Sequence, residues 1–258
     1  MKYISTRNEK IEFSAEQVLN YGLAPDGGLF IPKEIPKFSV DQINTLKGKN
    51  YIDIANFILS PFLLDLFDPK TINEIINEAY SKFDKEIVSI SNIGDNELLN
   101  LFHGPTLAFK DYAMCLLAKI YEHYLKKVDK KLVVIGATSG DTGSAAIQAF
   151  KGIDNISIFI LHPYNSISLF QRKQMTTSGA NNVFNVALNG SFDDCQNLVK
   201  KLFKDKNLNE FFSFTAVNSI NWFRVLPQSI YYAWSYLNCN IDNFVVPSGN
   251  FGNIYSAY

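Results

Sequence analysis

The spacing of apolar residues changes near Glu97 and divides the chain into two parts. Before that point the pattern predicts turns and helices. Ser14 and Gln17 form a capping box, a pairing typical of the residues that begin a helix. Asp68 and Pro69 begin another helix, with an N-cap followed by proline at the first helical position. This second helix carries apolar residues at helical spacing: Ile72, Ile75, Ile76, Ala79 and Phe83.

After Glu97, strand-like and helix-like segments alternate. The strand-like runs are 98–102, 132–135, 156–161, 183–188, 214–217 and 244–246. The helix-like runs are 108–126, 143–151, 166–178, 192–204 and 226–237. This alternation predicts an α/β fold, in which a parallel sheet has helices on both faces. Ligands of such sheets bind beyond the carboxyl ends of the strands, so we expect the chemistry in the loops that follow them.

The composition is that of a globular protein. The chain has 258 residues, of which 47% are hydrophobic and 19% charged, so a sizeable core can form. The formal net charge of -1 gives no basic surplus for binding nucleic acid. No apolar run has the length of a membrane span, and residues 1–10 do not resemble a secretory signal. We therefore expect a soluble cytoplasmic protein without nucleic-acid or membrane partners.

The cysteines and histidines do not form a recognisable site. Cys115, Cys195 and Cys239 stand far apart, and their number is odd, which argues against a disulfide framework. The three histidines are scattered as well, and no Cys/His group has the spacing of zinc ligands. We expect no bound metal.

The first candidate loop, residues 103–111, contains Lys110. Thr106 is expected to cap the helix that follows, which places Lys110 in the first turn of that helix. The helix dipole disfavours a positive charge there, and apolar neighbours exclude water, so both effects lower the pKa of the lysine. A lysine with a lowered pKa is a nucleophilic amine. The alternative is an ordinary solvated surface lysine.

Two further loops follow predicted strands. Residues 137–143 combine small side chains with hydroxyl groups, which suits an anion such as a carboxylate, although a turn capped by Asp141 or Thr142 is the alternative. Residues 247–253 are glycine-rich and lie between a strand and a helix, where backbone N–H groups can hold a phosphate. This loop matches neither a Walker motif nor Gly-x-Gly-x-x-Gly, so alone it is weak support for such a site.

A fourth segment, residues 218–224, ends in Arg224. One guanidinium group with nearby amide and hydroxyl donors suits a phosphate ester. Taken alone, the segment is better interpreted as a capped turn with a surface arginine.

Together these segments resemble the threonine synthases, which belong to the fold-type II (tryptophan synthase β-like) pyridoxal-phosphate enzymes. The residues that carry the resemblance are 103–111 (HGPTLAFKD), 138–143 (TSGDTG), 218–221 (NSIN), 247–253 (PSGNFGN), 5–7 (STR) and 23–32 (LAPDGGLFIP). The resemblance implies a mostly helical N-terminal domain over 1–93, an α/β domain over 94–214, and the start of a larger cofactor-binding domain over 215–258.

The resemblance also implies a role for each candidate residue. Lys110 would hold pyridoxal 5'-phosphate as a Schiff base and transfer protons, and Asp141 would face the 3′-oxygen of the cofactor, where many relatives have asparagine. The cofactor phosphate would bind to Gly249, Asn250, Phe251, Gly252 and Asn253. Ser139 and Thr142 would bind the carboxylate and phosphate region of the substrate. The substrate phosphate would bind to Asn218, Ser219 and Arg224.

The implied reaction converts O-phospho-L-homoserine and water to L-threonine and phosphate, in a monomer or homodimer. Threonine synthases continue well past residue 258, so we expect residues 1–258 alone to bind the cofactor poorly and to be inactive. Two alternatives remain open. One is a pyridoxal-phosphate-dependent lyase that dehydrates serine or threonine, and the other is a non-catalytic binding protein with the same fold.

Overall fold

The computed structural model describes residues 1–84, 86–217, 221–239, 241, 243–249 and 251–258. The elements before residue 101 are β1 Lys2–Ser5, β2 Asn8–Ser14, α1 Ala15–Tyr21, β3 Phe30–Pro32, α2 Val40–Asn44, α3 Tyr51–Leu63, α4 Pro69–Tyr80, β4 Ser89–Ile93 and β5 Asn96–Asn100. The later elements are α5 Lys110–Val128, β6 Leu132–Ala137, α6 Asp141–Phe150, β7 Ile156–Pro163, α7 Leu169–Thr176, β8 Val183–Leu188, α8 Phe192–Lys204, α9 Lys206–Phe211, β9 Phe214–Ala216, α10 Trp222–Val225, α11 Ser229–Cys239 and α12 Gly252–Ala257.

The N-terminal part contains a small sheet that the sequence pattern did not predict. β1 lies between β2 and β3 and pairs with both in the antiparallel sense. In β2 only Phe13 is buried, so this strand lacks the apolar alternation by which strands are recognised. The predicted capping box is confirmed, because the Ser14 hydroxyl accepts from the N–H of Gln17 and the Gln17 side chain bonds back. β1 and β2 lie before α1 in the chain, and β3 follows it.

The predicted helix after Asp68 is confirmed as α4. The Asp68 carboxylate accepts hydrogen bonds from the N–H groups of Lys70 and Thr71, at 3.0 Å each. The helix ends at Tyr80, so Phe83 lies beyond it. The Phe83 ring packs against the ring of Tyr112, and the two ring centroids are 4.9 Å apart.

A four-stranded parallel sheet forms the second part, in the order β8-β7-β6-β9. The predicted strands that begin at 132, 156, 183 and 214 are confirmed in it. The run 98–102 was expected in the same alternation, but it lies in β5, which pairs antiparallel with β4 in a separate hairpin. The run 244–246 forms no strand: Val245 is fully exposed and has no neighbouring strand among the described residues.

Helices cover both faces of this sheet, as predicted. Val134 and Ile158 belong to the main apolar core, whereas the adjacent Ile135 belongs to a second cluster with Cys195 and Val199 of α8. Neighbouring residues of β6 therefore point to opposite faces, as a strand requires. Helix α5 contacts α4 and α6 and is buried along most of its 19 residues. The first residue of this central helix is Lys110.

We predict a graded loss of stability at Ile158, which is fully buried on the interior strand β7. Ile158→Val should lower the free energy of unfolding by about 0.5–1.5 kcal/mol, and Ile158→Ala by about 2–5 kcal/mol, because each removes apolar contacts and leaves a cavity. Urea unfolding measures both changes. Val40→Ala is the control, since Val40 is exposed, and a surface change is worth about 0.5 kcal/mol or less. Equal losses at the two positions would contradict this assignment of the core.

Candidate active site

The loop before α5 is folded around the buried carboxylate of Asp111. The backbone N–H of Thr106 donates to Asp111 Oδ2 at 2.7 Å, and its hydroxyl donates to Oδ1 at 2.6 Å. Gly104 lies so close that a Cβ there would be 2.5 Å from the Cβ of Asp111. The prediction that Thr106 caps α5 is therefore wrong. Phe109 occupies the N-cap position, and its ring cannot accept a hydrogen bond from a backbone N–H as a capping side chain does. Thr106 lies three residues before this position, and its hydroxyl donates to Asp111.

Lys110 is not a solvated surface lysine. Its side chain is 23% exposed, and its Nζ lies 5.1 Å from the centre of the Phe109 ring and 3.7 Å from Asp141 Oδ2. Burial lowers the pKa of Lys110, the positive charge of Arg224 lowers it further, and the Asp141 carboxylate opposes both by raising it. The net effect is a lowered pKa of Lys110, as the sequence predicted.

The loop between β6 and α6 is held by Thr138. Its Oγ1 accepts from the N–H groups of Gly140 at 3.0 Å and Gly143 at 2.8 Å. Gly140 has a φ of +152° and occupies the N-cap position of α6, where no side chain caps the helix. The alternative of a turn capped by Asp141 or Thr142 is therefore wrong. Both side chains remain available for other contacts.

Gln171, on α7, holds the Asp141 carboxylate in place. Its Nε2 donates to Asp141 Oδ1, and its Oε1 accepts from the Ser168 hydroxyl at 3.0 Å. A Cβ at Gly140 would come within 2.3 Å of Gln171 Oε1, so only glycine admits this contact. Sequence analysis missed Gln171, because nothing in the pattern of α7 relates it to a loop thirty residues earlier.

Arg224 is buried beneath a cavity of about 290 Å³, here called the small cavity. Its wall is formed by Phe109, Lys110, Arg224, Gln228, Pro247, Ser248, Gly249 and Asn253. Arg224 is 1% exposed, so the predicted alternative of a surface arginine is wrong. Burial lowers its pKa to about 10, which leaves the group charged at neutral pH. Arg224 Nε and Nη1, and Ser248 Oγ, have no hydrogen-bond partner among the described residues. Unpartnered buried donors around a cavity favour an anion as its occupant.

A second cavity of about 700 Å³, the large cavity, also has Lys110 in its wall. Thr138, Ser139 and Thr142 line one side of it, and Phe251, Gly252 and Tyr255 line another. Phe251 has a φ of +60°, an uncommon conformation for a residue with a side chain. Because Lys110 belongs to both cavities, its amine lies where their contents would meet.

The structure brings together most of the predicted site residues. Lys110, Ser139, Thr142, Phe251 and Gly252 line the large cavity. Lys110, Arg224, Gly249 and Asn253 line the small one, and Asp141 lies beside Lys110. The positions of Asn218, Ser219 and Asn250 fall outside the described residues.

Two residues of the large cavity lie outside every segment considered from the sequence. They are Phe192 and Gln196 of α8. Thr6, Phe30, Ile31 and Trp222 also line the cavity and belong to the segments 5–7, 23–32 and 218–224, but no role was predicted for them. Apolar and amide side chains of this kind give no chemical signal in a sequence.

Across the described ranges, no three His, Cys, Asp or Glu side chains are grouped as ligands of a metal ion. Among the helices of those same ranges, none combines the length and the apolar character needed to cross a membrane.

Two family models match the chain. Residues 2–80 match the model described as the threonine synthase N terminus, and residues 98–258 match the one described as pyridoxal-phosphate dependent enzyme. The second match contains every candidate residue described above except those of the N-terminal sheet.

Curated relatives extend this similarity over the whole chain. The threonine synthase of Pseudomonas aeruginosa is 42% identical over 264 residues, a match that covers 100% of this chain and 56% of the relative. That of Schizosaccharomyces pombe is 41% identical, covering 100% and 54%. This chain therefore spans little more than half the length of these relatives.

Solved structures give the same result for the fold. A PLP-bound threonine synthase from Brucella melitensis matches with a TM-score of 0.92 and 43% identity, covering 100% of this chain and 57% of that one. Yeast threonine synthase matches with a TM-score of 0.91 and 38% identity, covering 100% and 55%. The predicted α/β fold of this enzyme class is confirmed.

We predict that Asp141→Asn lowers the pKa of Lys110 further, because the carboxylate stabilises the ammonium form. Competitive labelling of amines across pH, read by mass spectrometry, measures this value, since only the neutral amine reacts. In the unchanged protein Lys110 should be labelled at a lower pH than the value of about 10.4 of an ordinary lysine. Asp154→Asn, at an exposed position, is the control and should change nothing. An unchanged or raised pKa in Asp141→Asn would refute the proposed coupling.

We also predict that Thr106→Val destabilises the protein by about 1.5–3 kcal/mol, the range for a hydrogen bond to a charged group. Valine keeps the shape of threonine but cannot donate to Asp111 Oδ1. Urea unfolding provides the measurement. The control is Thr45→Val, which removes the exposed hydroxyl that donates to the carbonyl of Gln42. If both variants lose the same free energy, the Thr106–Asp111 bond does not hold the loop.

Proposed function

Because this chain belongs to the family of pyridoxal-phosphate-dependent enzymes, we propose that it acts as a threonine synthase, converting O-phospho-L-homoserine and water to L-threonine and phosphate. The observation that carries the proposal is the place of Lys110 in the walls of both cavities, with the unpartnered Arg224 in one of them. The similarity to threonine synthases over the full length of this chain supports the same reaction.

The site fits the cofactor that defines the family. Pyridoxal phosphate carries an aldehyde, which needs an amine, and a phosphate, which needs hydrogen-bond donors. Lys110 supplies an amine with a lowered pKa, and Ser248 Oγ, in the loop that follows Pro247, is a buried donor without a partner among the described residues. A Cβ at Gly249 would meet no atom within 4 Å, so the loop leaves open space beside this donor. When bound, the cofactor supplies an electron sink that stabilises negative charge on substrate carbon atoms.

We assign the cofactor phosphate to the loop that follows Pro247. Lys110 would hold the aldehyde carbon, and Asp141, fixed by Gln171, would face the 3′-oxygen. The carboxylate already lies 3.7 Å from the Lys110 amine. The residues proposed for the phosphate are Gly249, Asn250, Phe251, Gly252 and Asn253.

The substrate would be held by donors on the other segments. We propose that Ser139 and Thr142 bind its carboxylate and phosphate region, since both line the large cavity beside Lys110. Arg224, with Asn218 and Ser219, would bind the substrate phosphate. A guanidinium group offers paired N–H donors, and burial strengthens its attraction to an anion. These donors would also stabilise the charge that develops on the departing phosphate.

Lys110 would move the protons of the reaction at its Nζ. Its lowered pKa allows the neutral amine to accept a proton from a substrate carbon, and the nearby Asp141 carboxylate stabilises the resulting ammonium. Phe109, Trp222 and Phe251 provide apolar surface around the two cavities and limit the access of bulk water. Cytoplasmic location, a monomeric or homodimeric state and the domain limits stay predictions.

We predict that Lys110→Ala abolishes the release of phosphate from O-phospho-L-homoserine, because Lys110 is the sole lysine among the described residues that line the two cavities. The protein, purified as the cell makes it, is assayed for phosphate and threonine. Borohydride reduction with pyridoxal phosphate, followed by peptide mapping, should label Lys110 in the unchanged protein.

Lys126→Ala is the matched control, since Lys126 lies on the same helix but is exposed and pairs only with Glu122. Full turnover by Lys110→Ala, or borohydride labelling of a different lysine, would refute the proposal. Conversion of threonine to its keto acid, without release of phosphate from O-phospho-L-homoserine, would favour the dehydratase alternative. Cofactor labelling without any turnover would favour the non-catalytic one.

A further inference from the structure

Two consecutive tyrosines of α11 converge on one side chain of the phosphate loop. Tyr232 donates its hydroxyl proton to Asn253 Oδ1 at 2.9 Å, and the hydroxyl of Tyr231 donates to the same oxygen. Tyr231 is fully buried, and Tyr232 is 7% exposed. A carbonyl oxygen accepts at most two strong hydrogen bonds, so this pair saturates Oδ1 of Asn253.

The amide of Asn253 is therefore fixed in one orientation. With Oδ1 bonded to the tyrosines, Nδ2 is the part of the amide left for other partners, and it donates to no described residue. Asn253 lines the small cavity together with Lys110 and Arg224. An N–H donor beside two cationic side chains is suited to an anion with several oxygen atoms, such as a phosphate group.

The tyrosines are themselves rigidly held. The Tyr231 ring packs edge-on against Tyr112, at a centroid distance of 5.7 Å, and Tyr112 lies two residues after Lys110 on α5. The Tyr231 hydroxyl also lies 3.4 Å from Gln228 Oε1, and Gln228 donates from Nε2 to the carbonyl of Arg224 at 3.1 Å. Burial raises the pKa of Tyr231 well above its usual value, so its hydroxyl keeps the proton that it donates.

We propose that Tyr231 and Tyr232 are positioning residues, which hold the Asn253 amide so that Nδ2 donates to a phosphate group in the small cavity. This inference rests on the proposed function, in which both the cofactor and the substrate carry a phosphate. The tyrosines do not touch the phosphate and act on it only through Asn253. Their rings link the start of α5, which bears Lys110, to the loop that faces it.

The test compares the binding of pyridoxal phosphate with that of pyridoxal, which lacks the phosphate. In Tyr231→Phe/Tyr232→Phe the affinity for pyridoxal phosphate should fall roughly tenfold, the size expected for one hydrogen bond to a charged group. The affinity for pyridoxal should change by less than about twofold, because pyridoxal has no phosphate group to which Asn253 Nδ2 could donate. Tyr236→Phe, on an exposed turn of the same helix, is the matched control and should change neither value.

A double-mutant cycle separates positioning from general stability. Asn253→Ala should reduce the affinity for pyridoxal phosphate as much as the tyrosine pair does, and adding the tyrosine changes to it should cause no further loss. Equal losses for pyridoxal and pyridoxal phosphate would overturn the proposal, as would a tyrosine effect that persists in Asn253→Ala. An Asn253→Ala protein that binds pyridoxal phosphate as tightly as before, and also keeps its KM for O-phospho-L-homoserine, would mean that the amide turns its oxygen to the cavity, which also overturns the proposal.

The same variants distinguish which phosphate is bound. A tenfold weaker affinity for pyridoxal phosphate assigns Nδ2 to the cofactor, whereas a raised KM for O-phospho-L-homoserine at saturating cofactor assigns it to the substrate. Either result supports the proposal, and the absence of both refutes it. Binding of pyridoxal phosphate is measured without turnover. A protein that binds the cofactor but forms no threonine would therefore refute the proposed reaction and leave the role of the tyrosines standing.

Discussion

The burial of an arginine charge without a matching acceptor is the constraint on which the site depends. Arg224 is enclosed by protein, yet Nε and Nη1 have no partner among the described residues. The carboxylate of Asp111 is near enough to raise the pKa of Arg224, but it already accepts two hydrogen bonds from Thr106. Removing a charge from water costs several kcal/mol unless it is paired. An anion bound in the small cavity would offset this cost, and Lys110, Ser248 and Asn253 line the same space.

Much of the sheet could be predicted because its two interior strands, β6 and β7, are largely buried on both faces. β6, β7 and α8 appear in the sequence as continuous or periodic apolar segments, and their limits agree closely with the structure. β2 could not be predicted, since one buried residue leaves no pattern. The run 244–246 has the composition of a strand, but a strand also needs a neighbour to bond with, and the sequence does not reveal that none of the described strands lies beside it.

Two of the candidate loops were predictable for a related reason: residues 137–143 follow β6 and residues 218–224 follow β9, and these strands are parallel neighbours in the sheet. The loop 103–111 instead follows a strand of the antiparallel hairpin, and the loop 247–253 follows a run that forms no strand. The hydrogen bonds within the candidate loops could not be predicted. Thr106 has the residue type of a helix cap, but the buried Asp111 five positions later offers its hydroxyl a stronger acceptor. Gln171 and Tyr231 act on residues that are distant in sequence, through contacts that only the packing of helices creates. Side chains of this kind have no local signature.

The large cavity joins the two ends of the chain, because Thr6 and Phe30 face Phe251 and Tyr255 across it. A ribosome releases these segments in order, first the sheet that contains Phe30 and only much later the turn at Phe251. Until that turn has emerged, the growing polypeptide contains Thr6 and Phe30 of the large cavity but lacks Phe251 and Tyr255. On the proposed function, the cofactor would find a complete large cavity only after that turn has emerged, and it could not stabilise the earlier stages of folding through this cavity.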